Sequence, residues 1–344
     1  MVYIHVPFCR SFCTYCDFYS ETVCRGRDSG IVEDYVRGVE AEARSRRDEI
    51  LRSKGINTLY IGGGTPSVLP PCALKRLADA AGGGPWEEFT VEMNPEDIVE
   101  KGAEYVRALR GIGVTRASLG VQSLQDEVLG WMRRRHSADG ARQAFRILRE
   151  EGFDNISVDI IFGIGGFSRP TLERTLEEIC LQWRPEHISA YQLSVEEGSA
   201  LARMQQEGRF TPLDEESCRR QYESICGTLR SRGYRHYEIS NWALEGREAV
   251  HNSAYWSRAP YVGLGPGAHS LRIEDDGTQT RTWNSESLRA WHSDGETLSE
   301  EEIREEELML GLRTSQGTAD GRKIPEKDWF VSDDIISTIL AQQD

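Results

Sequence analysis

The sequence predicts an α/β protein: a partial (β/α)6 barrel followed by a smaller C-terminal α+β module. Three observations predict it. Apolar runs of strand length alternate six times with stretches of helical period, the pattern of a parallel sheet with crossover helices. The residues least suited to a packed core gather where those runs end, and in parallel β/α folds the loops leaving the carboxyl ends of strands converge on one rim. The length, 344 residues, suits two domains or one large one. Six units are too few for a closed eight-fold barrel and suit an open one.

The elements follow in order. The apolar run Val2-Tyr3-Ile4-His5-Val6 is the first strand; a cysteine loop and a helix over about 31–51 come next. A β-branched and aromatic run at 58–61 ends in three glycines, and a helical pattern covers 73–80. The third unit is a strand at 89–92 and a helix at 97–109; the fourth is a strand at 115–121 with helices at 126–134 and 138–149. The fifth is a strand at 156–162 and a helix at 171–182, and a sixth strand spans 187–193. The rhythm then changes, which sets an expected boundary near 195/196. Helices at 199–206 and 214–232 lead to a strand at 234–239. The Gly/Pro-rich segment 261–268 reads as turn rather than helix, and a charged helix at 299–312 follows.

Composition narrows the function. Hydrophobic residues make up 38% and charged residues 28%, with Lys+Arg 41 against Asp+Glu 56 and a net charge of −15. That balance excludes a chain that coats nucleic acid or anionic lipid through bulk charge. The start Met1-Val2-Tyr3-Ile4-His5 has no charged leader, so neither a signal peptide nor a membrane span is expected. Eight cysteines stand at 9, 13, 16, 24, 72, 180, 218 and 226, three of them within eight residues. A tight cluster in a large acidic chain points to a cytosolic metal site rather than a disulfide scaffold.

Cys9-x3-Cys13-x2-Cys16 lets three thiolates face one soft metal centre, and three ligands on a four-iron cluster leave one iron open. A closed four-sulfur zinc site that recruits Cys24 is the alternative, and redox exchange at Cys13 and Cys16 a third. Gly62-Gly63-Gly64-Thr65-Pro66 lacks the spacing of a phosphate loop or a dinucleotide fingerprint. It reads either as a tight turn or as a backbone cradle for a ligand's amino or carboxylate group. Asp159 stands in an otherwise apolar strand, where an unpaired carboxylate would be costly to bury.

Tyr3-Ile4-His5-Val6-Pro7-Phe8-Cys9 running into C-x3-C-x2-C resembles the radical S-adenosylmethionine superfamily, in the branch of the oxygen-independent coproporphyrinogen oxidases and their heme-chaperone relatives. Ordered blocks extend the resemblance over about 2–315: Glu92-Met93-Asn94-Pro95, Ser118-Leu119-Gly120-Val121-Gln122, Asp159-Ile160-Ile161-Phe162-Gly163 and Tyr237-Glu238-Ile239-Ser240-Asn241. The oxidases carry a fourth cysteine two residues after the third; Phe18 stands there. His251-Asn252-Ser253-Ala254-Tyr255-Trp256 matches the HNxxYW motif of the heme chaperones.

The resemblance implies a [4Fe–4S] cluster on Cys9, Cys13 and Cys16, with S-adenosylmethionine on the open iron and reductive cleavage of its sulfonium. Tyr3 and Tyr15 would lie beside the cluster or cofactor. Gly63, Gly64 and Thr65 would meet the methionyl end, and Glu92, Gln122, Arg134 and Asp159 would supply polar contacts. Of the three adjacent arginines 133–135, only Arg134 aligns with the family's contact. The histidine of the HNxxYW motif is the family's proposed heme ligand, which makes His251 the candidate here; from the residues alone, a histidine satisfied inside the core fits too. The implied function is heme delivery to apo-hemoproteins, respiratory ones in particular, with oxidative decarboxylation of coproporphyrinogen III and a zinc-stabilised binding module as alternatives. A flavodoxin or ferredoxin as electron donor, a homodimer, no nucleic acid, and a cytoplasmic location with peripheral membrane association complete the expectation. Two departures stand out. Gly163-Ile164-Gly165-Gly166-Phe167 replaces the usual G-I/L-P-G-Q, and residues 318–344 match little of the family, as a divergent or truncated tail would.

Overall fold

The structure, a computed structural model, describes residues 1–23 and 29–342. Cys24, and with it the four-sulfur zinc reading, lies outside the described residues.

Six parallel strands form the body of the molecule: β1 (Val2–Val6), β2 (Thr58–Gly63), β3 (Glu88–Met93), β4 (Arg116–Gln122), β5 (Ile156–Phe162) and β6 (His187–Gln192). They pair in sequence order, in the register Ile4–Ile61, Ile61–Val91, Val91–Ala117, Leu119–Val158 and Val158–Ile188. These partners are the buried outward-facing residues, and they pack with the helices into one contiguous apolar core. The crossovers are α1 (Ser29–Ser45), α2 (Arg47–Arg52), α3 (Pro71–Ala80), α4 (Pro95–Gly111), α5 (Asp126–Trp131), α6 (Ala138–Glu150) and α7 (Arg169–Glu178). The partial (β/α)6 barrel expected from the alternation is present.

Three predicted helices are interrupted, the one expected over 97–109 by Gly102 with φ 66° and ψ −168°. The one expected over 31–51 breaks at Arg46, whose φ of −106° and ψ of 21° are not helical. The break lets its guanidinium bond Glu42, Glu49, the Gly263 carbonyl and Ser270. The helix expected over 171–182 widens into a π-turn at Ile179–Trp183 and stops on the left-handed Arg184.

Residues after 195 build onto both edges of the same sheet. Beyond α8 (Ala200–Gln206) and α9 (Glu215–Ser231), β7 (Arg235–Glu238) and β8 (Asn241–Ala243) extend it antiparallel beside β6. After α10 (Val250–Trp256), β9 (Val262–Leu264) pairs parallel with β1, giving the order β9-β1-β2-β3-β4-β5-β6-β8-β7. The Gly/Pro-rich 261–268 is therefore not all turn. Gly263 is required there, because a Cβ would lie 2.0 Å from the His269 carbonyl oxygen. A separate antiparallel sheet, β10 (His269–Ile273), β11 (Gln279–Asn284) and β12 (Ser293–Thr297), follows, then α11 (Glu300–Leu312) with a capping box on Ser299 and Glu302. In the tail, a 3-10 turn at Glu326–Val331 and α12 (Ser332–Leu340) are ordered, and Trp329 is buried with its indole donating to the Ile324 carbonyl.

Glu238, on β7, is fully buried. Burial pushes its carboxyl up to about 7, against the lowering effect of bonds from the Asn241 side chain and the Ser240 N–H. A carboxyl raised in the fold contributes stability that is complete below its ordinary pKa and is lost as pH rises through 7. Glu238→Gln should remove that loss, gaining on the order of 2–3 kcal/mol over the parent at pH 8 relative to pH 5. Urea melts at the two pH values measure it, and an equal offset at both would contradict the assignment.

Candidate functional site

The inward face of the barrel is polar. Alternation places Tyr3, Tyr60, Glu92, Arg116, Ser118, Asp159, His187 and Ser189 on one side of their strands, and all line a cavity of about 690 Å³. Parallel strands buried on both faces read as continuous apolar runs. The period-2 polar stripe in β2–β6 was therefore the signal for a hollow lumen, and it identifies Tyr60, Arg116, Ser118 and His187, which motif reading alone passes over.

At the carboxyl rim, the cysteine loop arches over the cavity, and Cys9, Cys13 and Cys16 all line it. The loop is pinned to the end of α5, with the Thr14 N–H donating to the Met132 carbonyl at 3.2 Å and its hydroxyl to the Trp131 carbonyl at 3.2 Å. Burial pushes the Cys9 thiol up, and that of Cys16 up to about 11. Ligation would release those protons.

The glycine run is a cradle rather than a plain turn. A Cβ on Gly64 would stand 2.7 Å from the Phe8 carbonyl oxygen and 3.1 Å from Cys9 Sγ. One on Gly62 would stand 2.8 Å from Glu92 Oε1, and Gly63 has φ +110°. The backbone thus lies against both the cysteine loop and Glu92, where side chains have no room. Glu92 is held facing inward by the Tyr60 hydroxyl at 2.7 Å and the Gly63 N–H at 3.1 Å. Burial pushes its carboxyl up to about 7, with Asp159 adding to the rise.

A line of hydrogen bonds joins the remaining rim residues. Thr65 Oγ1 is 3.4 Å from Cys9 Sγ and accepts from Asn94 Nδ2 at 3.2 Å. Arg134 donates to Asn94 Oδ1 at 2.6 Å, to the Gly120 carbonyl at 2.9 Å and to Cys13 Sγ at 3.4 Å. Asn94 is a further residue that the motifs do not reveal, because Asn-Pro after a strand signals only a helix start. Of the arginine run, Arg134 turns in while Arg133 and Arg135 are exposed. Gln122 lines the cavity at a bulge, with a left-handed φ of 64°, a strained backbone of the kind held at functional sites. Asp159 lies 3.3 Å from the Ser118 hydroxyl and 3.5 Å from that of Ser157, and burial raises its carboxyl. Tyr3 contacts His5 Nδ1 at 3.0 Å, and Tyr15 lines the rim; burial raises both phenols. The lumen thus brings together every site residue expected from sequence, with His251 at its far end.

That far end is the opposite end of the strands. Thr58 begins β2 and Glu88 begins β3. His251 Nδ1 is 2.8 Å from Thr58 Oγ1, and the N–H groups of Val250 and His251 donate to the Glu88 carboxylate, each at 3.0 Å. Its Nε2 is 3.2 Å from the Tyr255 hydroxyl, and its ring centroid lies 5.2 Å from that of Tyr60. His251 is 1% exposed, and burial pushes its imidazole down to about 3. Both ring nitrogens are occupied by protein partners.

The loop at 163–167 does not line this cavity. A Cβ on Gly165 would fall 2.0 Å from the Thr211 carbonyl oxygen, and Phe167 packs edge-on to Trp131 at 6.2 Å. The departure from the family's proline is thus a close approach of two backbones. Gly165→Ala should cost about 1–3 kcal/mol, measured by urea denaturation, whereas Gly208→Ala in the turn at φ +71°, with open space around it, tests strain without a clash; equal losses would remove the steric explanation.

An open parallel barrel whose strand ends carry three cysteines, a glycine cradle and a polar lumen defines a protein of the radical S-adenosylmethionine class, and the family model of the Radical SAM superfamily matches residues 3–179. The heme chaperone HemW of Bacillus subtilis is 34% identical over 335 residues, covering 93% of this chain and 85% of the relative. That of Mycobacterium tuberculosis is 33% identical over 331 residues, covering 92% and 82%. Among solved structures, the coproporphyrinogen III oxidase HemN of Escherichia coli matches with a TM-score of 0.74 at 18% identity, over 92% of this chain and 75% of that one. The last similarity shows a shared fold. The chain belongs to the heme chaperone HemW family of the radical SAM superfamily.

Proposed function

We propose that this chain is a heme chaperone that carries a [4Fe–4S] cluster on Cys9, Cys13 and Cys16, binds S-adenosylmethionine beside it, and delivers heme to apo-hemoproteins, respiratory ones in particular. The observation that carries the reading is the single cavity onto which the three thiols, the glycine cradle and the Asn94–Arg134 bonds all open, in a chain of the HemW family. The donor set fits the cofactors: three half-buried thiols for a cluster, and a cradle that a Cβ would fill for a ligand's polar end. When bound, the cluster supplies one electron to the sulfonium, drawn from a flavodoxin- or ferredoxin-type donor.

The chain's own residues do the holding. Glu92, fixed by Tyr60 and Gly63, presents a carboxylate to an ammonium or to ribose hydroxyls. Arg134, fixed by Asn94 and Gly120, presents a guanidinium to a carboxylate. Phe18 at the oxidases' fourth-cysteine position argues for the chaperone branch. No helix among the described residues is long and apolar enough to cross a membrane, so membrane-bound recipients would be reached from its surface.

Anaerobically reconstituted protein should take up hemin and pass it to an apo-hemoprotein, followed by the recipient's heme absorbance. Conversion of coproporphyrinogen to protoporphyrinogen by the same preparation would overturn the reading in favour of the oxidase.

A further inference from the structure

His251, the family's candidate for holding heme, sits at the closed end of the barrel. With both ring nitrogens hydrogen-bonded and the side chain 1% exposed, iron would have to displace Tyr255 or Thr58 to reach it. From Thr58 to the glycine cradle, β2 runs five residue steps, about 16 Å at roughly 3.3 Å per residue. A cargo held at that depth would reach a recipient only along the length of the lumen.

The mouth of the cavity has the opposite character. Phe12 and Phe18, both lining it, are 57% and 65% exposed, and exposed apolar surface rimmed by polar residues marks an interaction site. The same lining carries Arg133 and Arg135, also exposed, with no side-chain hydrogen bond or ion pair to either among the described residues. Two unpaired guanidinium groups are conspicuous in a chain with net charge −15.

Their placement is held by strain. The N–H of Arg133 donates to the Gly130 carbonyl at 3.1 Å and that of Arg134 to the Leu129 carbonyl at 2.9 Å, closing α5 with Arg133 at a left-handed φ of 58°. Glycine ordinarily fills such a position, and a non-glycine residue there is strained. The turn directs Arg134 into the lumen and leaves its two neighbours at the rim. The Thr14 bonds to Trp131 and Met132 fix this turn against the loop that carries Phe12 and Phe18.

We propose that heme docks at this mouth, its macrocycle on Phe12 and Phe18 and its two carboxylates on Arg133 and Arg135, and that His251 is a positioning residue that fastens α10 across the barrel floor. The proposal rests on the heme-chaperone reading and names the site of the cargo. Heme is a flat apolar ring with an anionic edge, and the mouth offers aromatic faces beside guanidinium forks that match carboxylates. Its exposure leaves the cargo open to transfer.

Hemin titration of the full chain with its cluster reconstituted tests this. Phe12→Ser/Phe18→Ser and Arg133→Ala/Arg135→Ala should each raise the hemin dissociation constant about tenfold or more, and added salt should weaken the parent's binding. His251→Gln, checked for folding by circular dichroism, should bind hemin as the parent does. The arginine pair, outside the cysteine loop, answers independently of any loss of cluster absorbance in the phenylalanine pair. Parental affinity in both mouth variants overturns the proposal, as does a tenfold loss in folded His251→Gln. Mouth variants that keep hemin but lose reduction by a flavodoxin-type donor would assign the patch to that donor instead. Failure of the parent itself to take up hemin would overturn the chaperone reading along with the placement.

Discussion

Serine at any one of Cys9, Cys13 or Cys16 should abolish cluster assembly, whereas Cys72→Ala should leave it intact. The three thiols line one cavity, while Cys72 is exposed on α3 away from it. A cluster with one iron already left to a small molecule has no spare protein ligand, so removal of one sulfur is not a one-third effect. Reconstituted parent should contain about four irons and show broad thiolate–iron charge-transfer absorbance; each serine variant should fall below about one iron per chain. Ser20 and Thr65 hydroxyls lie beside Cys9, and as neutral oxygen donors they are poor substitutes for a soft thiolate. A serine variant that retains the full iron content and spectrum would show that the ligand set is wrong. About one zinc per chain in the parent, without that absorbance, would revive the zinc module instead.

What could be read from the sequence was whatever is encoded locally. Six strand–helix alternations gave the barrel because each unit carries its own apolar period and its own stop, such as Gly62–Gly64 at the end of β2. The cysteine spacing and the glycine run marked the rim for the same reason. Long-range features stayed hidden. β9 is three residues within a glycine-rich run, and only its pairing with β1 makes it a strand. The break at Arg46 exists because its guanidinium reaches Gly263 and Ser270, more than two hundred residues away. Asn94 reads as a helix start until Thr65 and Arg134 are seen on either side of its amide. His251 shows the limit of a motif most clearly. HNxxYW singles out His251, but the motif does not show its three-dimensional setting, with Thr58 and Tyr255 on its two ring nitrogens.

Glu42→Leu is expected to cost about 3–5 kcal/mol, the penalty for removing one partner of a buried ion pair. The Glu42 side chain is 12% exposed and gathers four donors, three of them from distant parts of the chain. Arg46 approaches at 3.2 Å, the Gly265 N–H at 2.9 Å, Asn284 Nδ2 at 2.8 Å and Trp291 Nε1 at 2.8 Å. Leucine has similar bulk but accepts nothing, so the donors lose a charge-assisted partner together. Glu42→Gln keeps one acceptor oxygen and should lose less, because its amide group turns a donor toward donors. Asp79→Ala is the control, since its pair with Lys75 is 59% and 57% exposed on α3 and such pairs contribute about 0–1 kcal/mol. Urea melts rank the three, and a Glu42→Leu midpoint equal to that of Asp79→Ala would refute the role. The same carboxylate bears on the site through a short path. Glu42 anchors Trp291 and Asn284, the intervening Leu288 N–H donates to the Tyr19 hydroxyl at 3.0 Å, and the Tyr19 carbonyl is 3.0 Å from His5 Nε2. Tyr19 follows the third cysteine by three residues. Glu42→Leu should therefore lose its reconstituted cluster faster than the parent at a temperature where both remain folded, whereas Asp79→Ala should not.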